Sequence, residues 1–395
     1  MEGVPQTLPF TFDGPGCKLP SGALSATAVF TSPSGAPVAL DVQRVRQTQP
    51  LEFLVDTVIE LELAFPALAR GTSFLQLFVE PGVAVIQIPV FVARDRTADA
   101  GDSVALGMPC QRPARTREGT TFCLGDSGFV AFRGSQQSAF REVQKVLVVG
   151  NVVWMLDGTT AQLRRYEDRP DGGLMLTAAG GPDAGFPARG NLVVDECAAL
   201  LDQGYGNEVT RVDIEATGRL TARAIPMYSE EWLLEGPGVI GVSRSGLCNG
   251  AEKCSPRRTD ETGLLGYDAD FVWVFDSRLS PASRGFSGAN NQPSRMALLR
   301  RPVSIDSGEA FATPIPPGWS PDASRTPRDV GGELPPLLYS QPDAGRRRTM
   351  LVRQTFDGTT FDVFPGEPIG MSRDWLIFPG NTRNELRVVA LPLSP

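Results

Sequence analysis

The chain has 395 residues, of which 41% are apolar, and carries a formal net charge of −8. That length is too great for one ordinary domain and is sufficient to bury a sizeable core, so two or three domains are expected. The negative charge argues against a nucleic-acid partner, because phosphate binding needs a concentrated basic surface.

The first segment, "MEGVPQTLPF" (1–10), lacks the basic start and the apolar stretch of a signal peptide. No apolar run in the chain approaches the ~20 residues that would span a bilayer. We therefore expect no membrane span. Either the protein is cytoplasmic or an export signal upstream of Met1 has been removed, and a lipid anchor at such an upstream site stays an open alternative.

Residues 10–95 contain runs that alternate between apolar and polar side chains. In "TVIELELAF" (57–65), one face carries Ile59, Leu61, Leu63 and Phe65, and the glutamates lie on the other. Runs of period two, separated by turn residues, predict an antiparallel β-sandwich that resembles an immunoglobulin-like domain over residues 1–96. The polar segment "RDRTADAGD" (94–102) is typical of a linker.

Six cysteines form an even set, which favours disulfides. Zinc is the rival interpretation, but the chain has no histidine and its cysteine pairs lack the short gap of zinc knuckles. Two pairs close short loops, and the two remaining cysteines either pair with each other or stay free. Disulfides favour an oxidising compartment: periplasm, cell surface or outside. The candidates are Cys110 with Cys123, Cys248 with Cys254, and the remaining Cys17 and Cys197.

The absence of histidine removes several classes of enzyme, since histidine is the commonest general base and metal ligand. "CLGDSGF" (123–129) resembles the nucleophile motif of chymotrypsin-like proteases. With no histidine to accept the proton of Ser127, that triad cannot form. We interpret the motif as a turn.

Asp-Gly-Thr-Thr occurs twice, in "WMLDGTTAQLRRYE" (154–167) and "RQTFDGTTFDVF" (353–364), each time between two strand-like runs. Asp-Gly is suited to the positive φ of hairpin turns. We interpret both copies as turns, with "LVVGNVVWML" (147–156) as the strand leading into the first. "NEVTRVDIEATGRLTARAIP" (207–226) repeats the plan with Ala-Thr-Gly at its turn.

Strand–turn–strand units of this kind continue to the end of the chain, and at about 40 to 45 residues per blade they would make six or seven blades. Residues 97–395 therefore resemble the β-propeller superfamily in hairpin rhythm. "SIDSGEAF" (304–311) also fits the Asp-box pattern of sialidase-like propellers. In that family the box tightens a blade turn away from the active site, so the resemblance implies a propeller and not a glycosidase. The matching residues are Ser304, Asp306, Gly308 and Phe311.

No cofactor is expected, although Asp268, Asp270 and Asp276 are candidate calcium ligands because carboxylate oxygens suit that ion. Most tryptophans lie in apolar strand runs, where core packing is the default. Trp319, within a proline-rich insert, is the one we expect to be exposed.

The sequence thus predicts an all-β, extracytoplasmic protein, with an immunoglobulin-like sandwich followed by a six- or seven-bladed β-propeller. Its Pro-Asp-Ala-Gly loops, in "GGPDAGFPARG" (180–190) and "SQPDAGRRR" (340–348), resemble those of secreted envelope proteins from GC-rich Gram-negative bacteria. The expected function is non-enzymatic binding or scaffolding of a protein or glycan partner in the cell envelope. Two alternatives are a carbohydrate-active propeller enzyme that uses carboxylates, sialidase-like or another glycosidase, and a structural subunit of a surface assembly.

Overall fold

The computed structural model describes the chain with gaps, and in part of the strands it describes the backbone alone. Every regular element in these ranges is a β-strand, which confirms the all-β prediction for them. Within them, no helix is long and apolar enough to cross a membrane. The described residues are 6–14, 25–31, 36–48, 57–66, 71–80, 84–96, 101–171, 173–181, 191–202, 209–225, 231–235, 238–243, 246–249, 253–254, 262–267, 271–276, 295–300, 311–314, 319–321, 337–340, 347–355, 358–372 and 374–391.

The chain divides into two compact units. The first comprises Met1–Ala98 with Met350–Phe364, and the second comprises Asp99–Thr349 with Pro365–Pro395. An immunoglobulin-like domain over 1–96 followed by one further domain over 97–395 stays a prediction.

The first unit contains a six-stranded antiparallel sheet in the order β1-β4-β3-β2-β5-β6. Its strands are β1 Gln6–Gly14, β2 Ser25–Thr31, β3 Pro37–Thr48, β4 Thr57–Phe65, β5 Gly71–Glu80 and β6 Ala84–Val92.

Strand β3 changes partner along its length. Its first residues, 37–40, pair with β2, and residues 41–48 pair with β4, with a bulge between Val42 and Arg44. A strand that changes partner at a bulge can turn a corner between two sheet segments. On β4 the predicted alternation is confirmed at the described side chains, because Leu63 and Phe65 are buried. The Phe65 ring meets Phe30 of β2 edge to face, with 5.8 Å between their centroids.

A short strand, β7 (Arg94–Asp95), follows β6 and pairs in parallel with a strand far along the chain, β32 (Gly358–Pro365). The guanidinium of Arg96 donates to the carboxylate of Asp362 at 2.7 Å, and both side chains are almost fully buried. The Arg96 amide also donates to the Val363 carbonyl at 2.8 Å. This ion pair therefore links the segment that follows β6 to β32, some 260 positions later in the chain.

Five four-stranded antiparallel sheets of the second unit follow each other along the chain, each with its strands in sequence order. Their strands are β9 Gln111–Arg115, β10 Thr121–Gly125, β11 Gly128–Arg133 and β12 Gln136–Arg141; β13 Val143–Val149, β14 Val152–Asp157, β15 Leu163–Arg169 and β16 Gly173–Gly180; β17 Asn191–Val194, β18 Ala198–Asp202, β19 Val209–Ile214 and β20 Leu220–Ile225; β21 Glu231–Glu235, β22 Gly238–Ser243, β23 Gly246–Asn249 and β24 Lys253–Cys254; and β25 Thr262–Tyr267, β26 Phe271–Asp276, β27 Arg295–Arg300 and β28 Phe311–Pro314. Further along, β29 (Ser320–Pro321) pairs with β30 (Leu337–Ser340), and β31 (Arg348–Thr355) precedes β32.

A sixth four-stranded sheet combines both ends of the second unit. Its strands are β33 (Gly370–Met371), β34 (Trp375–Pro379), β35 (Glu385–Ala390) and β8 (Asp102–Ala105), with β8 paired antiparallel to β35. The hydroxyl of Ser103 donates to the Glu385 carboxylate. That hydrogen bond is the main reason that the pKa of Glu385 lies below its ordinary value.

Neighbouring sheets pack face to face through apolar cores. The sheet of β13–β16 shares one core with that of β9–β12 and another with that of β17–β20. The sheet of β33–β35 and β8 packs against that of β9–β12, through Ile377 and Val388 on one side and Cys123 and Phe132 on the other. The first strands of neighbouring sheets also touch: β9 with β13, β13 with β17, β17 with β21, and β33 with β9.

Two tryptophans, each on the second strand of its sheet, donate a hydrogen bond to a neighbouring sheet. The indole N–H of Trp154 on β14 donates to the Asp195 carbonyl at 2.9 Å, and that of Trp375 on β34 donates to the Thr116 carbonyl at 3.0 Å. Trp154 is fully buried, as expected for a core residue. Both acceptors lie in the turn between the first and second strands of their sheets, so the same contact recurs at two places in the unit.

The first Asp-Gly-Thr-Thr segment forms the turn between β14 and β15, which confirms the hairpin interpretation. The Asp157 carboxylate accepts hydrogen bonds from the amides of Thr159 and Thr160, at 2.9 and 2.8 Å. The predicted role of the glycine is wrong: positive φ occurs at Ala161 (53°), and Gly158 does not adopt it. The carboxylate, by capping two amides, sets the shape of this longer loop.

The run 147–156 is not one strand but a hairpin. Strand β13 ends at Val149, Gly150 takes a positive φ of 58°, and β14 begins at Val152. Apolar residues on both sides of the turn concealed it, because both strands are buried on both faces.

The Gly-Asp-Ser-Gly motif is a two-residue turn between β10 and β11, as interpreted from the sequence, with Gly125 directly opposite Gly128. Gly128 has a φ of 129°, and a Cβ placed on it would lie 2.2 Å from the Phe140 carbonyl oxygen. Only glycine fits this position, because the neighbouring strand passes too close for any side chain.

Replacing Gly128 should therefore be costly. We expect Gly128→Ala to lower the free energy of unfolding by about 3 kcal/mol or more, since it combines backbone strain with a backbone clash. Gly134→Ala is the matched control: its φ is also positive (57°), but nothing lies within 4 Å of the added Cβ. The control should lose only about 1 kcal/mol. Urea denaturation measures both, and equal losses would contradict the clash.

The Asp157 turn predicts a pH dependence. Burial raises the pKa of the Asp157 carboxyl, but the hydrogen bonds from Thr160 and Thr159 together outweigh burial and leave that pKa below its ordinary value. A lowered folded-state pKa means that the carboxylate stabilises the fold above the ordinary pKa of about 4 and that this contribution disappears as the pH falls through the folded-state value.

We therefore expect Asp157→Asn to cost about 1 kcal/mol at pH 7, where a charged acceptor is lost, and progressively less below about pH 4. Thermal unfolding from pH 7 to pH 2.5 measures this difference. Asp171→Asn, at an exposed position after β15, is the control and should show no such convergence with the wild type.

Candidate functional site

A cavity of about 220 Å³ lies where the first strands of three sheets, β9, β13 and β33, come together. Apolar side chains form most of its wall, and its polar groups come mainly from β9 and β13. The lining residues are Arg112, Pro113, Ala114, Arg115, Phe129, Gln144, Lys145, Val146, Leu147, Val148, Ile369, Gly370, Met371, Ser372 and Ile377. Cavities with apolar walls and a few convergent polar groups are the usual form of ligand sites.

The charged groups at this cavity are all basic. Arg112 and Arg115 come from β9 and Lys145 from β13, and none of the described lining residues is Asp or Glu. The side chains that line the cavity thus include three basic residues and no carboxylate, although the chain's net charge is −8.

Arg115 is the most constrained of the three cations. Its guanidinium donates to the Thr121 hydroxyl at 2.5 Å and lies 5.0 Å from the centre of the Trp375 ring. Its Nε is buried and has no hydrogen-bond partner in the structure. Burial lowers the pKa of this guanidinium, and the charge of Asp102 acts in the opposite direction.

Two bulges bring these residues to the cavity. Opposite β10, strand β9 has one extra residue between Gln111 and Ala114, and Arg112 there has a φ of 47°. Strand β13 has an extra residue at Gln144 opposite β14. In a regular strand, positions three apart point to opposite faces. The bulge in β9 interrupts this alternation between Arg112 and Arg115, and all residues from 112 to 115 line the cavity.

A shallower depression of about 600 Å³ shares Arg112 and Gln144 with this cavity, so we describe it as the rim. The rim also includes Asp126 and Ser127 of the Gly-Asp-Ser-Gly turn and Glu142, whose φ is 64°. Two of the three non-glycine residues with positive φ in the described chain, Arg112 and Glu142, therefore line the rim. Uncommon backbone conformations tend to cluster at functional sites.

The predicted disulfide between Cys110 and Cys123 is present and buried. Cys123 lies opposite the bulge of β9, and Cys110 precedes it, so the bond spans the bulge that carries Arg112. Cys197 is exposed and free. Cys248 and Cys254 face each other in backbone register across β23 and β24, and their disulfide stays a prediction. Cys17 lies outside the described residues.

Other predicted sites are not described. Ser304, Asp306 and Gly308 of the Asp-box pattern lie outside the described residues, while Phe311 begins β28. Of the candidate calcium ligands, Asp268 and Asp270 also lie outside, and Asp276 is described at the backbone only. In the part of the chain that is described, no three cysteine or carboxylate residues are grouped to hold a metal. Trp319 is partly buried rather than exposed.

Sequence reasoning missed Arg112, Arg115 and Lys145 as site residues. The available signal was Pro113 within "QRPAR" (111–115), since proline inside a strand indicates an edge or a bulge. Nothing local indicates that β13 and β33 lie beside this strand.

The comparisons give no relative from which a role could be carried over. No protein-family model, no curated protein and no solved structure matches the chain. The candidate site therefore depends on its own geometry.

The disulfide should stabilise both the fold and the site. A closed loop of about 15 residues stabilises a protein by about 3 kcal/mol in the chain-entropy model. The bonded cysteines here are 13 positions apart. We expect the double substitution Cys110→Ser with Cys123→Ser to lose about that amount in denaturant unfolding, and Cys197→Ser, the control at a free thiol, to lose none. An unchanged double variant would refute the stabilising role.

Proposed function

We propose that the chain is a non-enzymatic binding or scaffolding protein of a bacterial cell envelope, in which residues 97–395 form a six- or seven-bladed β-propeller. The observation that carries the proposal is the cavity at the meeting point of three first strands. In a propeller the first strand of each blade lines the central channel, so this cavity would open at one face of that channel.

The sheet order supports the propeller. Six four-stranded antiparallel sheets each pair strands that follow one another, and the sheet of β33–β35 is completed by β8 from the start of the unit. The completion of one sheet by a strand from the other end of the unit is what a closed ring of blades would require, because closure removes exposed sheet edges. Strands β29–β32, which follow β28 along the chain, would supply a seventh blade. For the first unit, the partner change of β3 is compatible with the proposed immunoglobulin-like sandwich.

The buried Cys110–Cys123 bond supports an oxidising compartment. We propose the periplasm, the outer-membrane surface or the exterior, where a protein or a glycan would be the partner. A lipid anchor is compatible with this location.

A carbohydrate-active enzyme is the second candidate, and one observation favours it. Two carboxylates, Asp126 and Glu142, line the same rim. Glycoside hydrolysis needs two carboxylates on either side of the scissile bond. The cavity beneath the rim has basic groups and no carboxylate, which suits the holding of a ligand better than its hydrolysis.

The two candidates are separated by measuring binding and turnover on the same ligands. We expect the full, disulfide-bonded chain to retain an envelope protein or glycan from an immobilised panel and to leave every retained glycan uncleaved. Arg112→Gln should weaken retention by about tenfold, since a charge-assisted hydrogen bond contributes ~1.5–3 kcal/mol. Asp126→Asn combined with Glu142→Gln should retain the partner.

Cleavage of a retained glycan that disappears in the double carboxylate variant would replace the binding proposal with the glycosidase. Failure to retain any envelope protein or glycan would remove the proposed partner class.

A further inference from the structure

The basic residue Arg115 at the cavity differs from other buried or half-buried cations of the unit in its partners. In the described chain, several buried or half-buried cations have carboxylate partners, such as Arg133 with Asp168 at 2.6 Å and Arg211 with Asp213 at 2.7 Å. Arg115 instead donates to a neutral hydroxyl and stacks on an aromatic ring. Among the described residues no carboxylate forms an ion pair with Arg115, although the charge of Asp102 acts on its guanidinium.

The Nε of Arg115 gives a second reason to expect an anion at the cavity. It is a buried donor without a partner, and such groups are uncommon in proteins because the lost hydration is not replaced. An oxyanion that accepts a hydrogen bond from the guanidinium would supply the missing acceptor and place a negative charge directly beside it. Arg112 and Lys145 line the same space and would add to its attraction for an anion.

The apolar part of the cavity wall limits which kinds of anionic ligand the cavity can bind. Phe129, Val146, Met371 and Ile377 are apolar, so a strongly hydrated ion alone would lose water without compensation there. At about 220 Å³ the cavity is smaller than the ~300–1,000 Å³ of sites for drug-sized ligands. It suits a small molecule or the terminal group of a longer one.

We propose that this cavity binds an organic oxyanion, a carboxylate or a phosphate or sulfate ester attached to a compact apolar body, with Arg115 and Arg112 as the anion-binding residues. The proposal deepens the proposed function, on which it rests, by naming the chemical class of its ligand. The disulfide and the bulge of β9 then act together to hold Arg112 beside Arg115.

Three small probes test this: benzoate, phenyl phosphate and the neutral benzamide, each titrated into the full disulfide-bonded chain by calorimetry or by NMR. We expect at least one anionic probe to bind with a Kd of ~1 mM or tighter, as the size of the probe allows, and benzamide to bind at least ~10-fold more weakly. Preference between benzoate and phenyl phosphate distinguishes a carboxylate ligand from a phosphate ester. Equal binding of benzamide, or binding of neither anion, would overturn the proposal.

Variants locate the binding in the cavity. Arg112→Gln, and Arg115→Lys, which keeps the charge but loses the planar fork, should each weaken the better anionic probe by ~10-fold. Arg223→Gln on β20 makes the same change of charge at an exposed position outside the cavity, and should leave the affinity within about twofold. An equal loss in Arg223→Gln would mean that the probe responds only to net charge, which contradicts a site. Unfolding curves for each variant establish that the fold is kept, and Arg112→Gln, at an exposed residue, serves if Arg115→Lys is unstable.

The result is separable from that of the partner screen. Binding of an anionic probe without retention of any envelope protein or glycan would leave the anion site standing and remove the proposed partner class. Retention of a partner without binding of an anionic probe would leave the proposed partner class standing and remove the anion site.

Discussion

The second unit depends on the pairing of its two chain ends. Strand β8 completes the sheet of β33–β35, and that sheet packs on the sheet of β9–β12 through Ile377, Val388 and Phe132. Without β8, strand β35 would expose a row of unpaired backbone groups at a sheet edge, which soluble proteins avoid. In the same sheet, β33 contacts β9 and forms one wall of the cavity.

The site arises from irregularity within an otherwise regular architecture. Regular pairing would alternate side chains strictly between the two faces of each sheet and separate Arg112 from Arg115. One extra residue in β9, with Cys123 opposite it, breaks that alternation next to the only disulfide among the described residues. The bulge of β13 at Gln144 lies at the corresponding position in the next sheet. Two neighbouring sheets thus present their bulged first strands to one cavity.

Local signals in the sequence predicted local structure well. The turns at Asp126-Ser127 and Asp157-Gly158 follow from turn chemistry, and the alternation around Leu63 follows from period two. The turn at Gly150 was missed because buried apolar strands flank it, although Gly-Asn is itself a turn signal. The cations of the cavity were missed for a different reason: their proximity depends on a bulge in β9 and on the packing of β9 beside β13, and neither leaves a periodic pattern.

The meeting of the two ends also bears on how the protein is made. Residues 102–105 are synthesised about 280 positions before their partners at 385–388. Until residues 385–388 are synthesised, β8 has no strand to pair with. Contacts of such long sequence separation form slowly and leave intermediates prone to aggregation. Chaperones that shield an unpaired strand would therefore act on β8 until residues 385–388 have been synthesised and can pair with it.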